Sequence, residues 1–315
     1  MDNTTRSKQA NQGFTLIELI MVITIAGIVA VLAATMLGNQ MLAFVDLSRR
    51  AELVDQAETS VRQIARDVRH ALPNSLRVTT NGTSSFIEFI PVQDAGRYRA
   101  EAGGGTENDD DEVLDFSTSD SSFQVIGRLP TISTGSRVVI YNIGQEDGSG
   151  DPVNGANVYA DAASNSASSA VPVFGSHVIT PATTNVSYSG VDGNVMGLSV
   201  AHQFAFESPQ KRFYLVGQAL SYICDLANER IVKYEGYDFE ASQANDIGNA
   251  PLSGATLKST LIENVSACSF DYAAGNAQRA GLLTITLTVS DSGEKVTLIH
   301  QVLSLIHISE PTRPY

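Results

Sequence analysis

From Phe14 to Leu37 the chain is apolar almost throughout, and Glu18 is the single strongly polar side chain in the run. A helix rising about 1.5 Å per residue over that length spans a hydrocarbon core of about 30 Å. The pattern then changes rather than stops. Leu47, Val54, Val61 and Val68 recur every seventh residue, with Ala51, Ala57, Ile64, Ala65 and Leu72 filling the same stripe, and Arg49, Arg50, Glu52, Asp55, Glu58, Arg62, Arg66, Asp67 and Arg69 lie between them. Such a stripe predicts an amphipathic helix packed on its own globular domain rather than a free coiled coil. Pro73 has no amide hydrogen and restricts the residue before it, so the helix should end around Ala71 or Leu72, with Gly38 and Asn39 as its weakest point.

After Pro73 the period shortens to two. Residues 85–92, 137–143, 198–208, 211–226, 230–239, 268–272, 282–289 and 294–302 alternate apolar and polar positions and read as strands, and Asp291-Ser292-Gly293 supplies turn chemistry between the last two. No second long helical pattern separates them, so hairpin-joined antiparallel strands are expected. The fold class is therefore α+β: a long N-terminal helix, membrane-spanning over 14–37 and amphipathic over 38–72, laid against an antiparallel β-sheet domain over 73–302. Residues 101–122 and 144–170 are rich in Gly, Ser, Asn and Asp and read as polar surface loops.

A content of 43% hydrophobic and 17% charged residues is that of a folded protein. The net charge of −14 repels phosphate backbones and anionic headgroups, which argues against nucleic acid as a partner. His70, His177, His202 and His300 are scattered, and no GxSxG, HExxH or Gly-rich phosphate loop occurs, so neither catalysis nor a cofactor is expected. Asp147, Ser149 and Asp151 have the spacing that opens a calcium loop. The match ends at Pro152, where glycine is needed, and at Val158, where the bidentate Glu belongs; Asp109, Asp110 and Asp111 give charge without a ligand pattern. No metal site is expected.

The apolar run is longer than the core of a cleavable signal peptide, and a polar leader, MDNTTRSKQANQG, precedes it. Arg6 and Lys8 outweigh Asp2 in that leader, which favours its retention on the cytoplasmic side. A lone carboxylate such as Glu18 is costly in hydrocarbon and usually marks a functional partner.

Gly13 to Leu19, G-F-T-L-I-E-L, resembles the processing site of type IV prepilins and type II secretion pseudopilins. The resemblance implies cleavage after Gly13 by a membrane-embedded prepilin peptidase, removal of residues 1–13 as leader, and N-methylation of Phe14. It further implies a type IV pilin fold, pairing of Glu18 with the N-terminal amine of a neighbouring pilin, and contacts with an inner-membrane assembly platform. The chain would sit in the inner membrane of a Gram-negative bacterium, globular part in the periplasm, before joining an extracellular pilus. RRAELVDQAETSVRQIARDVRHALPNSLRV, ESPQKRFYLVGQALSYICDL, RIVKYEGY and ENVSACSFDY together resemble the minor pilins of mannose-sensitive haemagglutinin (MSHA) pili, the MshO group. That group implies a role in assembly initiation or a tip complex supporting adhesion. The J-type pseudopilin and the PilW-type minor pilin share the helix pattern, and a tip adhesin binding a surface ligand is a further alternative.

An exported domain enters an oxidising compartment, where two cysteines, Cys224 and Cys268, favour one disulfide. Closing their 44-residue separation is worth about 4 kcal/mol on the chain-entropy estimate. The expectation is that both sit on neighbouring strands of one distal sheet and pin residues 225–267, a segment whose Gly, Asn and Ser content suggests little core of its own. LSLIHISEPTR, Leu303 to Arg313, resembles the translation of a sequencing-library adapter, so 303–315 are set apart from the domain.

Overall fold

The computed structural model describes residues 13–101, 112–160, 176–189, 193–275 and 280–304. The leader up to residue 12, Asp109 to Asp111 and residues 305–315 lie outside the described residues. One helix, α1, runs from Leu16 to Arg69 and passes Gly38 and Asn39 without interruption. Contacts divide the chain between Glu52 and Leu53, and each part has its own logic.

In the first part, Leu16–Met36 is long and apolar enough to cross a membrane, and none of it is buried within the chain. Apart from Glu18, two of its polar side chains turn back to the helix: Thr24 Oγ1 donates to the Ile20 carbonyl at 3.0 Å and Thr35 Oγ1 to the Leu32 carbonyl at 3.0 Å. Back-bonding of this kind leaves the cylinder apolar on every side, which suits lipid or other helices and not water.

The second part joins the end of α1 to fourteen strands: β1 (Arg77–Asn81), β2 (Ser84–Phe89), β3 (Val92–Tyr98), β4 (Asp120–Ile126), β5 (Arg137–Val139), β6 (Val186–Ser189), β7 (Val195–His202), β8 (Arg212–Val216), β9 (Ala219–Asp225), β10 (Arg230–Tyr237), β11 (Leu257–Ile262), β12 (Val265–Ala273), β13 (Gly281–Asp291) and β14 (Glu294–Ser304). They form a five-stranded sheet β1-β2-β9-β10-β11, a three-stranded sheet β12-β13-β14 and a six-stranded sheet β5-β8-β3-β4-β7-β6, with every ladder among them antiparallel.

Leu53, Ala57, Val61, Ile64, Ala65 and Val68 of α1 are buried at helical spacing against both the five- and the three-stranded sheet, meeting Ile87, Phe89, Tyr222 and Cys224 on one and Phe270, Leu283, Ile285 and Leu287 on the other. The opposite face of the five-stranded sheet carries a second core around Phe86, Ile223, Val232 and Tyr234, and a third core around Phe123, Phe213 and Leu215 lies on the six-stranded sheet. Strand β9 is buried at every position because both of its faces are covered. In β10 the register slips between Glu235 and Tyr237, where Gly236 has φ +72° and a Cβ would lie 2.0 Å from Thr256 Oγ1. A bulge of that geometry admits only glycine.

Several expectations need correction. Helix α1 ends at Arg69, two to three residues early, because Leu72 N donates to the Ile90 carbonyl and Val92 N to the His70 carbonyl, which draws the chain into a bridge before Pro73 acts. Leu47 and Ala51 are exposed, and the buried stripe starts at Leu53. The run 211–226 is two strands in two different sheets, β8 and β9, broken at Gly217-Gln218. The polar loops contain structure: Leu114 is buried and residues from Asp120 open β4, while Ala156 to Ala160 are buried, Val158 and Tyr159 in the second core. Single apolar side chains in a polar context anchor these segments. Leu303 and Ser304 continue β14, paired with Leu282 and Gly281, so the strand runs past residue 302.

Candidate functional site

Helix α1 begins with a capping geometry. Thr15 precedes its first residue, and Glu18 N donates to Thr15 Oγ1 at 3.3 Å, so Thr15-Leu16-Ile17-Glu18 is a T-x-x-E capping sequence. A carboxylate in the first turn also meets the positive end of the helix dipole, worth about 0.3–1 kcal/mol. Yet the carboxyl oxygens of Glu18 hold no hydrogen bond or ion pair with the described residues, and the residue is exposed. The helix end uses the backbone amide of Glu18 and the hydroxyl of Thr15, and no described residue pairs with the carboxylate.

The same holds for the two residues ahead of it. A Cβ built on Gly13 would meet nothing within 4 Å, and its φ is not in the left-handed region, so the fold makes no demand for glycine there. Phe14 is 77% exposed. A glycine that folding does not require, an exposed aromatic and an unanswered carboxylate stand together at the mouth of an all-apolar helix. Residues 8–34 match the model of the prokaryotic N-terminal methylation motif. The match supports a type IV pilin-like protein. The prepilin motif carries with it processing by a prepilin peptidase and a membrane and assembly setting, and the apolar helix followed by an antiparallel β domain fits the α+β architecture of such proteins. Comparison of the pilin-like chain with curated proteins and with solved structures gave no match.

The cysteines form a second site. Cys224 and Cys268 are bonded, with Cα atoms 5.8 Å apart. They do not lie on neighbouring strands of one sheet: Cys224 is on β9 of the five-stranded sheet and Cys268 on β12 of the three-stranded sheet, both in the core beneath α1. The bond therefore ties two sheets together. Residues 225–267 also contribute more core than their composition suggests, since Ile231, Val232, Tyr234, Tyr237, Phe239, Leu252 and Ile262 are buried.

Asp147 is occupied by its own loop. Its Oδ1 accepts from the amides of Ser149 at 2.8 Å and Asp151 at 3.0 Å, and these hydrogen bonds hold its carboxyl below the usual range. The alternate spacing of Asp147, Ser149 and Asp151 thus builds an Asx-type turn.

Sequence reading missed two polar clusters. On α1, Asp67 Oδ2 accepts from Tyr222 Oη at 2.6 Å and pairs with Lys233 Nζ at 3.0 Å, fastening the helix to β9 and β10. Arg77 pairs with Glu88 at 2.7 Å, donates to the carbonyls of Glu240 and Ala241, and lies 3.6 Å above the Tyr159 ring, whose hydroxyl donates to the Ser75 carbonyl. Burial pushes the Glu88 carboxyl above its ordinary value, against the opposing charge and hydrogen bond of Arg77. Only the position of Arg77 and Glu88 on facing strands could have signalled this pair. Of the histidines, His177 and His202 come together inside the domain: the His202 ring nitrogen Nε2 lies 3.0 Å from the His177 carbonyl, and burial lowers the His202 pKa to about 4.

Proposed function

We propose that the chain is a minor pilin of an MSHA-type type IV pilus, of the MshO group, acting in assembly initiation or in a tip complex that supports surface adhesion. In this reading the prepilin peptidase cleaves after Gly13 and Phe14 is N-methylated. The helix holds the protein in the inner membrane of a Gram-negative cell with the β domain in the periplasm. Glu18 then pairs with the N-terminal amine of a neighbouring subunit as the helix moves into the fibre. Contacts with other major and minor pilins run along the helix, and the assembly platform drives the transfer.

The observation that carries the proposal is the isolation of Gly13, Phe14 and Glu18: nothing described crowds the glycine, and beyond the helix dipole no described residue answers the charge of the acid. A carboxylate taken into hydrocarbon needs a cation, and a freshly exposed α-amine is one of matching size. The helix also presents small side chains at Ala26, Ala30 and Ala34, a spacing that allows close approach of a second helix. The MSHA assignment draws on the likeness of residues 49–78 and of the segments flanking the two cysteines.

Mass spectrometry of protein from sheared pili should find N-methyl-Phe14 as the first residue. Glu18→Ala should insert and fold normally but fall about tenfold or more in the sheared fraction, because the partner amine loses its counter-charge in a dry setting. An intact leader in assembled fibres, or full recovery of the Glu18→Ala protein there, refutes the proposal. Flanking genes of a secretion operon would move the assignment to a pseudopilin.

A further inference from the structure

Strand β14 is an open edge of the three-stranded sheet: β13 pairs with it along its whole length on one side, and no strand among the described residues pairs with it on the other. An edge of eleven residues with free amides and carbonyls is normally covered or protected by charge or proline. Here its middle is uncharged, with Ile299 69% exposed. Beside this edge lies a groove of 570 Å³ whose other wall is α1, lined by Glu58, Arg62, Arg66, Arg69, Leu298 and His300 among others. Glu58 is engaged with Arg62, whereas Arg66 and Arg69 are exposed and have no carboxylate partner among the described residues. On a molecule of net charge −14, two arginines, Arg66 and Arg69, without a carboxylate partner beside an unpaired strand are a matched pair of vacancies for backbone and for charge.

We infer that the β14 edge and the arginine pair of α1 together receive an extended strand of a different fibre subunit, a strand with carboxylates at alternate positions on one face and apolar side chains on the other. The spacing leads to that chemistry. Arg66 and Arg69 are separated by about 4.5 Å along the helix, while same-face residues of a strand repeat about every 6.7 Å. Flexible guanidinium stems absorb the difference, so acidic side chains at alternate positions meet successive arginines. The other face of the added strand runs beside exposed Ile299, which favours an apolar residue there. No edge strand among the described residues of a second copy supplies such a pattern. The edge strands β1, β5, β6 and β11 contain no carboxylate, β12 has Asp271 alone and β14 has Glu294 alone.

The inference rests on the assembly reading, which supplies neighbouring subunits, and its test separates the two. The full chain with Ile299→p-benzoylphenylalanine is expressed in pilus-producing cells, irradiated, and recovered from sheared fibres. The expected product is a cross-link to a segment of another pilin-like subunit with alternating Asp or Glu. Arg66→Glu with Arg69→Glu should lower its yield about tenfold, and Arg66→Lys with Arg69→Lys should retain most of it. Both arginines are exposed, and circular dichroism of the purified variants checks that the fold is intact. Cross-links to lipid, polysaccharide or a second copy, a yield indifferent to charge reversal, or no cross-link from protein that is present in fibres would overturn the groove assignment and leave the assembly reading standing. Absence of the unmodified chain from fibres would overturn both.

Discussion

Reducing the Cys224–Cys268 bond should weaken the seam between two sheets rather than the segment the bond encloses. The bond closes a 44-residue separation, for which the loss of unfolded-state entropy is worth about 4 kcal/mol. With a urea dependence of about 3 kcal/mol per molar, the midpoint should fall by about 1.3 M on reduction. Where protection is lost follows from the hydrogen bonds near the bond. Phe270 N donates to Ser85 Oγ at 3.2 Å, Val265 N to the Glu229 carbonyl at 2.8 Å and Ser290 N to the Asn264 carbonyl at 2.9 Å, and these link the three-stranded sheet to its surroundings or to itself at the junction. The β10 ladders to β9 and β11 lie within one sheet, although Ile231 pairs with Cys224, and they carry their own buried side chains. Hydrogen exchange of the full chain in detergent, oxidised and reduced, should show early exchange at Phe270 and Val265 with β10 amides still protected. A midpoint change worth less than about 1 kcal/mol, or loss of protection centred on β10 and β11 with the seam unchanged, refutes this account.

Three further outcomes follow from the polar clusters. Asp67→Ala strips the buried Tyr222 hydroxyl of its acceptor and Lys233 of a partner, and should cost about 2 kcal/mol in chemical denaturation, whereas exposed Arg62→Ala should cost under about 0.5 kcal/mol. Arg77→Ala leaves Glu88 buried without its cation and should destabilise by about 3 kcal/mol at neutral pH, with part recovered by Glu88→Gln in the same chain. His202 binds a proton at about 4 when folded and at its ordinary 6.5 when unfolded, so the unfolded state takes up the proton first as pH falls. Its contribution is complete above about pH 6.5 and is lost towards pH 4, a change of about 3 kcal/mol that should be missing from the pH profile of His202→Gln.

The sequence pattern revealed the ends of the story better than its middle. The apolar run, Glu18 and the heptad stripe lie in single continuous elements, so period alone locates them. Strands β12, β13 and β14 alternate because one face is covered and the other open, and they too were legible. The boundary between β8 and β9 was not, since Tyr214 to Asp225 are apolar enough to read as one run, and only a change of sheet at Gly217-Gln218 divides them. Strands β1, β3, β4, β6 and β11 escaped notice for the opposite reason: their burial is partial, so Gln, Asp, Ser, Thr and Lys fill positions where a periodic reading looks for apolar residues. At the candidate site, Gly13 and Glu18 were visible as residue types out of place. That nothing described crowds the one or pairs with the other was visible only in three dimensions.

Because both sheets grip the same stretch of α1 from Leu53 to Val68, tension carried along that helix enters the β domain as shear across a row of alanine, valine, leucine and isoleucine contacts. Asp67 resists that shear at one point through Tyr222 and Lys233, and elsewhere the apolar contact holds only as long as the two walls stay together. The disulfide is not in the line of the pull; it is the pin that keeps the walls from spreading. Loss of the bond removes that pin from the seam between the two sheets that hold the helix.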